Sequence, residues 1–342
     1  TLLGYATTQN KYQMADSIRS PYNVQTSLSI EHQLPLKLTL AVTYLNTSGY
    51  NQLRIRNVNA PVGYTFGVPN SGTRPFGDVG NIFQYESTGK SSQNQLMFNL
   101  RGNFSRKYSF FASYTLGSAQ GDTDGSNSFP ANSYDLSGEY GRSSLDTRHR
   151  LNFGGNVQLP FGFNLSPMVI ISSGRPFNVT RGLDLNGDSL FTERPTYAQL
   201  NTRCNTLGLT NSFCDISNVS DINAIIPRNY GTGPGFATVN MRLTKTIGFG
   251  GEATGGGNNA NGGGRGGMMG GGSSTSKKYN LTFSLNAQNL FNNVNAGNPI
   301  GNLSSTLFGT SNSIGGGFGF GQGGGLSSAF NRKIEAGIRF SF

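Results

Sequence analysis

The sequence predicts an all-β fold, an antiparallel transmembrane β-barrel to which this chain contributes about nine to ten strands of wall. Three observations predict it. Apolar residues recur at every second position in one segment after another. The segments are joined alternately by short and by long connections. The composition suits a wall that is wet on one side only: 35% of residues are hydrophobic and 12% charged, against about 45–50% and about 25% in soluble domains. Asn, Ser, Thr, Gln and Gly fill the difference, as a surface facing a polar interior requires.

Successive side chains of a strand point to opposite faces, so one apolar face reads as period 2. Strands are expected at 22–33, 36–47, 81–104, 108–118, 146–159, 162–173, 236–248, 278–291 and 330–342. The first two alternate through Val24, Leu28 and Ile30, then Leu36, Leu38, Leu40, Val42 and Tyr44. The third alternates through Leu96, Phe98 and Leu100, with Arg101 on the other register. The fourth and sixth are less regular, because Phe111, Met168 and Ile170 fall on the polar register. Leu151, Phe153, Val157 and Leu159 mark the fifth, with Asn152 opposed; Ala237, Val239, Met241 and Leu243 mark the seventh, with Arg242 opposed. The eighth sets Tyr279, Leu281, Phe283 and Leu285 against Asn286. The last sets Phe330, Ile334, Ala336, Ile338, Phe340 and Phe342 against Lys333 and Arg339. Each segment supplies the roughly 9–11 residues that a tilted strand needs to cross a bilayer.

The short connections are Leu34-Pro35, Ser105-Arg106-Lys107 and Pro160-Phe161-Gly162; the long ones are 48–80, 119–145, 174–235 and 292–329. Short turns at one end and long loops at the other are a barrel habit. Loops of that length count against a compact soluble domain. The Gly-rich segment 249–276 breaks the alternation and reads as a flexible linker, and 315–325 is a second such run. Aromatics near strand ends, among them Tyr22, Phe104, Phe163, Tyr279 and Phe340, fit interfacial girdles.

Other classes are excluded residue by residue. No run of 18 apolar residues provides a transmembrane helix. Residues 1–10 lack the features of a signal peptide, and since a barrel must be exported, an N-terminus further upstream is expected. The net charge of +10 is scattered rather than gathered on a basic helix, so no nucleic-acid partner is expected. Asp146, Arg148, His149 and Arg150 lack a nucleophile and mark a strand entry, so no enzyme is expected. No cofactor is expected either, because no Gly-rich run is followed by Gly-Lys-Ser/Thr. Cys204 and Cys214 share a polar loop, which in an exported protein favours a disulfide. Asp184-Leu-Asn186-Gly-Asp188 has the alternate oxygens of a calcium loop. Ser189 stands at the usual glycine, Pro195 replaces the final acid, and Glu193 is a substitute for it. The competing reading is an Asx-rich turn.

In order along the chain, Asp146-Thr-Arg-His-Arg-Leu-Asn-Phe, Leu159-Pro-Phe-Gly, Ser173-Gly-Arg-Pro-Phe-Asn-Val-Thr, Asp184-Leu-Asn-Gly-Asp and Glu193-Arg-Pro resemble the C-terminal barrel of TonB-dependent outer-membrane receptors. The Oar-like members, with a carboxypeptidase-regulatory-like domain at the N-terminus, look most similar. Ser20-Pro-Tyr, Glu31-His-Gln-Leu-Pro, Arg56-Asn-Val-Asn-Ala-Pro, Phe83-Gln-Tyr-Glu-Ser-Thr-Gly, Asn289-Leu-Phe-Asn and terminal Phe342 fit the same pattern. The resemblance covers about residue 20 to the end and implies a plugged barrel of about 22 strands. The plug and the TonB-contacting box are absent from this sequence, so residues 1–342 are expected to be the C-terminal part of one barrel domain.

The function this implies is uptake of a bulky, scarce solute across the outer membrane. Outer-membrane lipid would surround the wall. The TonB complex would act through the missing N-terminal part, and the barrel-assembly machinery would read Phe342 as its signal. A small molecule, glycan or peptide would bind the external loops. Arg101, Asn152, Arg242, Asn286, Lys333 and Arg339 would face the lumen. The alternatives are a passive channel or surface adhesin of the same fold, and a soluble secreted β-sheet binding protein.

Overall fold

The computed structural model describes residues 9–65, 68, 71–105, 107–252, 275–315 and 331–342. Its strands are β1 Lys11–Met14, β2 Tyr22–Leu34, β3 Leu38–Asn57, β4 Ile82–Ser105, β5 Tyr108–Gly121, β6 Gly141–Arg142, β7 His149–Gln158, β8 Phe163–Ser172, β9 Pro176–Phe177, β10 Gly231–Thr232, β11 Phe236–Glu252, β12 Lys277–Gln288 and β13 Lys333–Ser341. One α-helix, α1, spans Tyr197–Leu207.

The main sheet runs β2-β3-β4-β5-β7-β8-β11-β12-β13. All of these neighbours pair antiparallel, so the wall is an up-and-down meander. Short β1 adds to β4 in parallel and β6 adds to β5.

Pairing carries the apolar face of each strand onto the next, because residues directly opposite in a sheet point to the same side. One such row is Ile30, Val42, Phe98, Tyr114, Leu151, Ile171 and Ala237. A second links Leu165, Leu243, Leu285 and Ala336. This face is exposed: Leu28 is 68%, Leu285 46% and Ile338 72% accessible. On β11 the opposite, polar face is the hidden one, with Thr238, Asn240 and Thr244 buried. Leaving a Leu or Ile in water costs about 1.5–3 kcal/mol of forgone burial. A whole sheet face of them is stable only against an apolar solvent.

The irregular registers of β5 and β8 are real. Phe111, Met168 and Ile170 do lie on the polar face, where they cluster with Phe236. A side chain built on Gly154 would meet the Phe111 ring at 2.5 Å, so this glycine is the seat of that ring.

Several boundaries move. β3 continues through 48–57, a stretch expected to be loop. Residues 46–52 are polar on both registers, so alternation is silent there, yet backbone pairing with β4 and the buried Ile55 hold the strand. β5 runs to Gly121, whereas β7 starts only at His149. β11 continues through Phe249–Glu252, the first residues of the expected linker, and pairs there with Tyr279 and Lys277. The rest of that linker (253–274), most of the second Gly-rich run (316–325), Phe330 and Arg106 lie outside the described residues.

The two turns after Leu-Pro share a backbone. Leu36 (φ 65°) and Lys37 (φ 58°) follow Pro35 just as Phe161 (φ 62°) and Gly162 (φ 75°) follow Pro160. Proline sets the first turn residue and the next two take the left-handed region.

Candidate functional site

The long connections gather at one end of the wall and pack into a layer with its own interior. Residues 173–235 leave β8 and return to its neighbour β11. Within them Phe177, Val179, Leu200, Cys204, Phe213 and Ile226 bury together with Phe308 of the last loop. Thr196 caps α1: its hydroxyl accepts from the Gln199 N–H while Gln199 receives the Thr196 N–H, and Gly208 closes the helix in the left-handed conformation. This is a reciprocal capping box. Leu200 and Cys204, four residues apart, face the buried cluster. Cys204 and Cys214 are joined by a disulfide, which ties the end of α1 to the turn at Ser212–Cys214.

A second, polar interior holds the loops to one another. Asn57 and Asn59 are fully buried. The Asn57 amide donates to Asn81 Oδ1 at 2.9 Å, and its Oδ1 accepts the N–H groups of Asn59 and Ile82. Asn59 donates to the carbonyls of Gly77 and Gly80. Arg74 donates to the carbonyl of Asn59 and, across to the longest loop, to that of Gly187. The Tyr134 hydroxyl donates to the Ala60 carbonyl at 2.7 Å. Ion pairs brace the same end: Arg56–Glu86 joins β3 to β4, Arg54–Asp122 joins β3 to the loop after β5, and Arg194–Glu139 and Arg228–Asp124 join loop to loop. Burial alone would raise the Asp124 carboxyl, but the Asn229 amide, the Arg228 guanidinium and Ser144 hold it below its usual value.

Asp184, Asp188 and Glu193 bring one carboxylate oxygen each within 4.8 Å of one another. Asp184 accepts the N–H groups of Gly187, Asp188 and Ser189. Asn186 Oδ1 accepts the Asp188 N–H, and Asp188 Oδ1 the Leu190 N–H. Burial, with the neighbouring carboxylates adding to it, pushes Asp188 up to about 6 and Glu193 up to about 7. Beside this turn lies a cavity lined by Arg74, Asn81, Phe83, Phe129, Ser189 and Leu190.

Each polar residue singled out in the wall has a definite register. Arg101 stands between Thr39 and Phe111, and Asn152 between Ser113 and Ile170. Arg242 stands between Ser166 and Asn286. Asn286 is also opposite Glu335, Lys333 opposite Gln288, and Arg339 opposite Thr282. All six share the polar face. Arg242, Asn286 and Lys333 fall close together around Glu335, to which Lys333 is ion-paired, whereas Arg101 and Asn152 lie several strands away. Phe342 is exposed and ends a ladder of rings running Phe249, Tyr279, Phe340, Phe342. His149 contacts the Tyr114 hydroxyl, and Asp146 accepts from the Ala119 N–H and pairs with Arg142, so these groups secure a strand entry.

Alternation gives no sign of α1, the loop core or the asparagine network. The helix had a signal in Thr196-Tyr-Ala-Gln199 followed by Gly208. The loop core had none, since its members are scattered from residue 177 to 308.

The family model described as "Outer membrane beta barrel domain" matches residues 3–255. Among solved structures, the outer membrane transporter YddB from Escherichia coli is similar over 98% of this chain and 34% of its own, at 12% identity and a TM-score of 0.50. The ferric-catecholate import receptor Fiu from Escherichia coli matches over 95% of this chain and 28% of its own, at 11% identity and a TM-score of 0.41. A mutant of the ferric enterobactin receptor PfeA from Pseudomonas aeruginosa matches over 95% and 32%, at 13% identity and 0.43. The chain thus spans about a third of the length of these proteins. No curated protein matches it.

Proposed function

This chain belongs to the outer membrane beta barrel domain family, and from that premise we propose that it is the C-terminal wall and external-loop portion of a TonB-dependent receptor. The receptor takes up a bulky, scarce solute and is of the Oar-like kind, with a carboxypeptidase-regulatory-like domain and plug upstream. As a member of the family the chain resides in the outer membrane, its apolar face against lipid.

The observation that carries the reading is the wall of nine long strands among the described residues, left open at β2 and β13, with a structured loop layer at one end. Strands alternate in direction along the meander, so β2 and β13 run the same way. Closing them on each other would need a parallel pair. An all-antiparallel barrel has an even strand number, so further strands complete this wall. In that larger barrel the loop layer meets the ligand. Arg101, Asn152, Arg242, Asn286, Lys333 and Arg339 line the lumen, and Phe342 addresses the assembly machinery. Energy coupling to TonB belongs to the upstream plug.

The test is the intact mass of the native protein extracted by detergent from outer membranes. A mass far above 36.5 kDa is expected. A mass near that value would overturn the transporter reading in favour of a passive channel or adhesin. Release by carbonate without detergent would overturn the wall itself.

A further inference from the structure

We propose that the turn Asp184–Asp188 together with Glu193 binds a divalent cation, calcium by its ligand chemistry, and that the ion fastens the longest loop to loop 58–81. Two observations carry this. The first is the convergence of three carboxylates within 4.8 Å, two of them buried. The second is Glu193 itself. It is 6% exposed, its Oε1 accepts a long bond from Leu185 N–H at 3.3 Å, and its Oε2 has no hydrogen-bond partner among the described residues.

The competing explanation is a self-satisfied Asx turn. That accounts for Asp184 and Asn186, whose oxygens cap backbone N–H groups. It does not account for Glu193 Oε2, since Glu193 reaches the turn only through Oε1 at the Leu185 N–H. Nor does it explain why two further carboxyls are enclosed beside Asp184, where like charges raise one another's energy. A dication supplies the missing partner and offsets the repulsion. The donor set is all oxygen, with no His or Cys in the cluster, which suits a hard cation. Calcium accepts irregular carboxylate and amide cages, whereas magnesium demands near-octahedral geometry and keeps its waters. Ser189, at the position where calcium loops usually carry glycine, adopts φ 64° and so makes the same left-handed turn. Glu193 reaches the cluster from two positions short of the usual final acid, which is why Pro195 is no obstacle.

The site is a junction. Arg74 holds the Gly187 carbonyl, and the Asn57 amide approaches the Asp188 carbonyl at 3.5 Å. An ion on the other side of that turn would therefore stiffen two loops at once. The inference concerns the loop chemistry and stands whether or not the receptor transports.

The experiment uses the native full-length protein in detergent, with terbium as the first probe and calcium as its competitor. The described chain has no Trp, and Tyr64 and Tyr134 lie within electrostatic reach of Asp188, so tyrosine can sensitise a bound lanthanide. Saturable emission displaced by calcium is expected, with a calcium Kd of about 10⁻⁴–10⁻³ M, the range of extracellular modules. Glu193→Gln should weaken binding at least tenfold, and Asp215→Asn in the same loop should not. Terbium emission that Glu193→Gln leaves unchanged would overturn the site. If Glu193→Gln does not assemble, hydrogen exchange of 182–194 in the unaltered protein decides. Exchange slowed by calcium relative to chelator supports the site, and identical exchange overturns it.

Discussion

Gly174 is where the two ends of the longest loop touch. A Cβ placed there would lie 1.7 Å from the Gly233 carbonyl oxygen, a backbone atom that cannot rotate aside. The same contact is braced by the Gly233 N–H donating to the Arg175 carbonyl at 2.9 Å. Gly174→Ala must therefore push the loop's entry and exit apart, at about 1–3 kcal/mol, the usual cost of overpacking. Limited proteolysis of the detergent-solubilised protein should then show faster cutting within 173–235, with the wall still assembled; cleavage at the unaltered rate would mean the contact is dispensable. Ser173-Gly-Arg-Pro-Phe was legible in the sequence as a motif, but its reason was not. A steric contact between residues 174 and 233 leaves no periodic trace in either segment. The same holds for Asn57 and Asn59. In the sequence they sit in a motif, whereas in the structure they are the fully buried knot of a polar interior, bonded across loop 58–81 and, through Asn57, to Ser133 and Asp188 of other loops.

At the scale of elements the wall was readable because strands report their environment with period 2. Alternation located all nine long strands; it was silent in the polar stretch that opens the extension of β3, and it misplaced several ends, as at His149 of β7 and Glu252 of β11. Helix α1 is the converse case. Its buried residues, Leu200 and Cys204, are too few to make an apolar stripe, so only its caps announced it. The wall reading makes a paired prediction on β12. Leu285 lies in the apolar row with Leu243 and Ala336, while Asn286 lies opposite Arg242 and Glu335. Leu285→Arg should lose about 2–4 kcal/mol near the midplane of the bilayer, seen as a drop in folded, heat-modifiable protein in outer membranes. Asn286→Arg should assemble at near-normal yield. Equal yields would reverse the assignment of faces.

Taken whole, the described wall is a curtain with two edges. Each of β2 and β13 has one wall neighbour among the described residues. Exposed edges of that length invite pairing, and because the two strands run the same way an antiparallel wall does not pair them with each other. Cysteines introduced at Leu28 in β2 and at Ala336, Ile338 or Phe340 in β13 should accordingly form no direct cross-link in membranes under oxidant. A high-yield cross-link would mean that the wall closes within these nine strands. The number of partners beyond the edges was invisible to alternation, which sees one strand at a time; it emerges only when strand order and direction are known together.

The longest loop begins and ends on adjacent strands, Ser172 of β8 being paired with Phe236 of β11. Such a loop could be exchanged between relatives without disturbing a single rung of the wall. Its interior, however, is completed by Phe308 and Leu303 from the last loop. Recombination that swapped 173–235 alone would leave a hydrophobic vacancy in one parent's loop and an orphaned phenylalanine in the other's. The two loops are thus a single heritable cassette, and relatives that diversify on this scaffold should exchange both together.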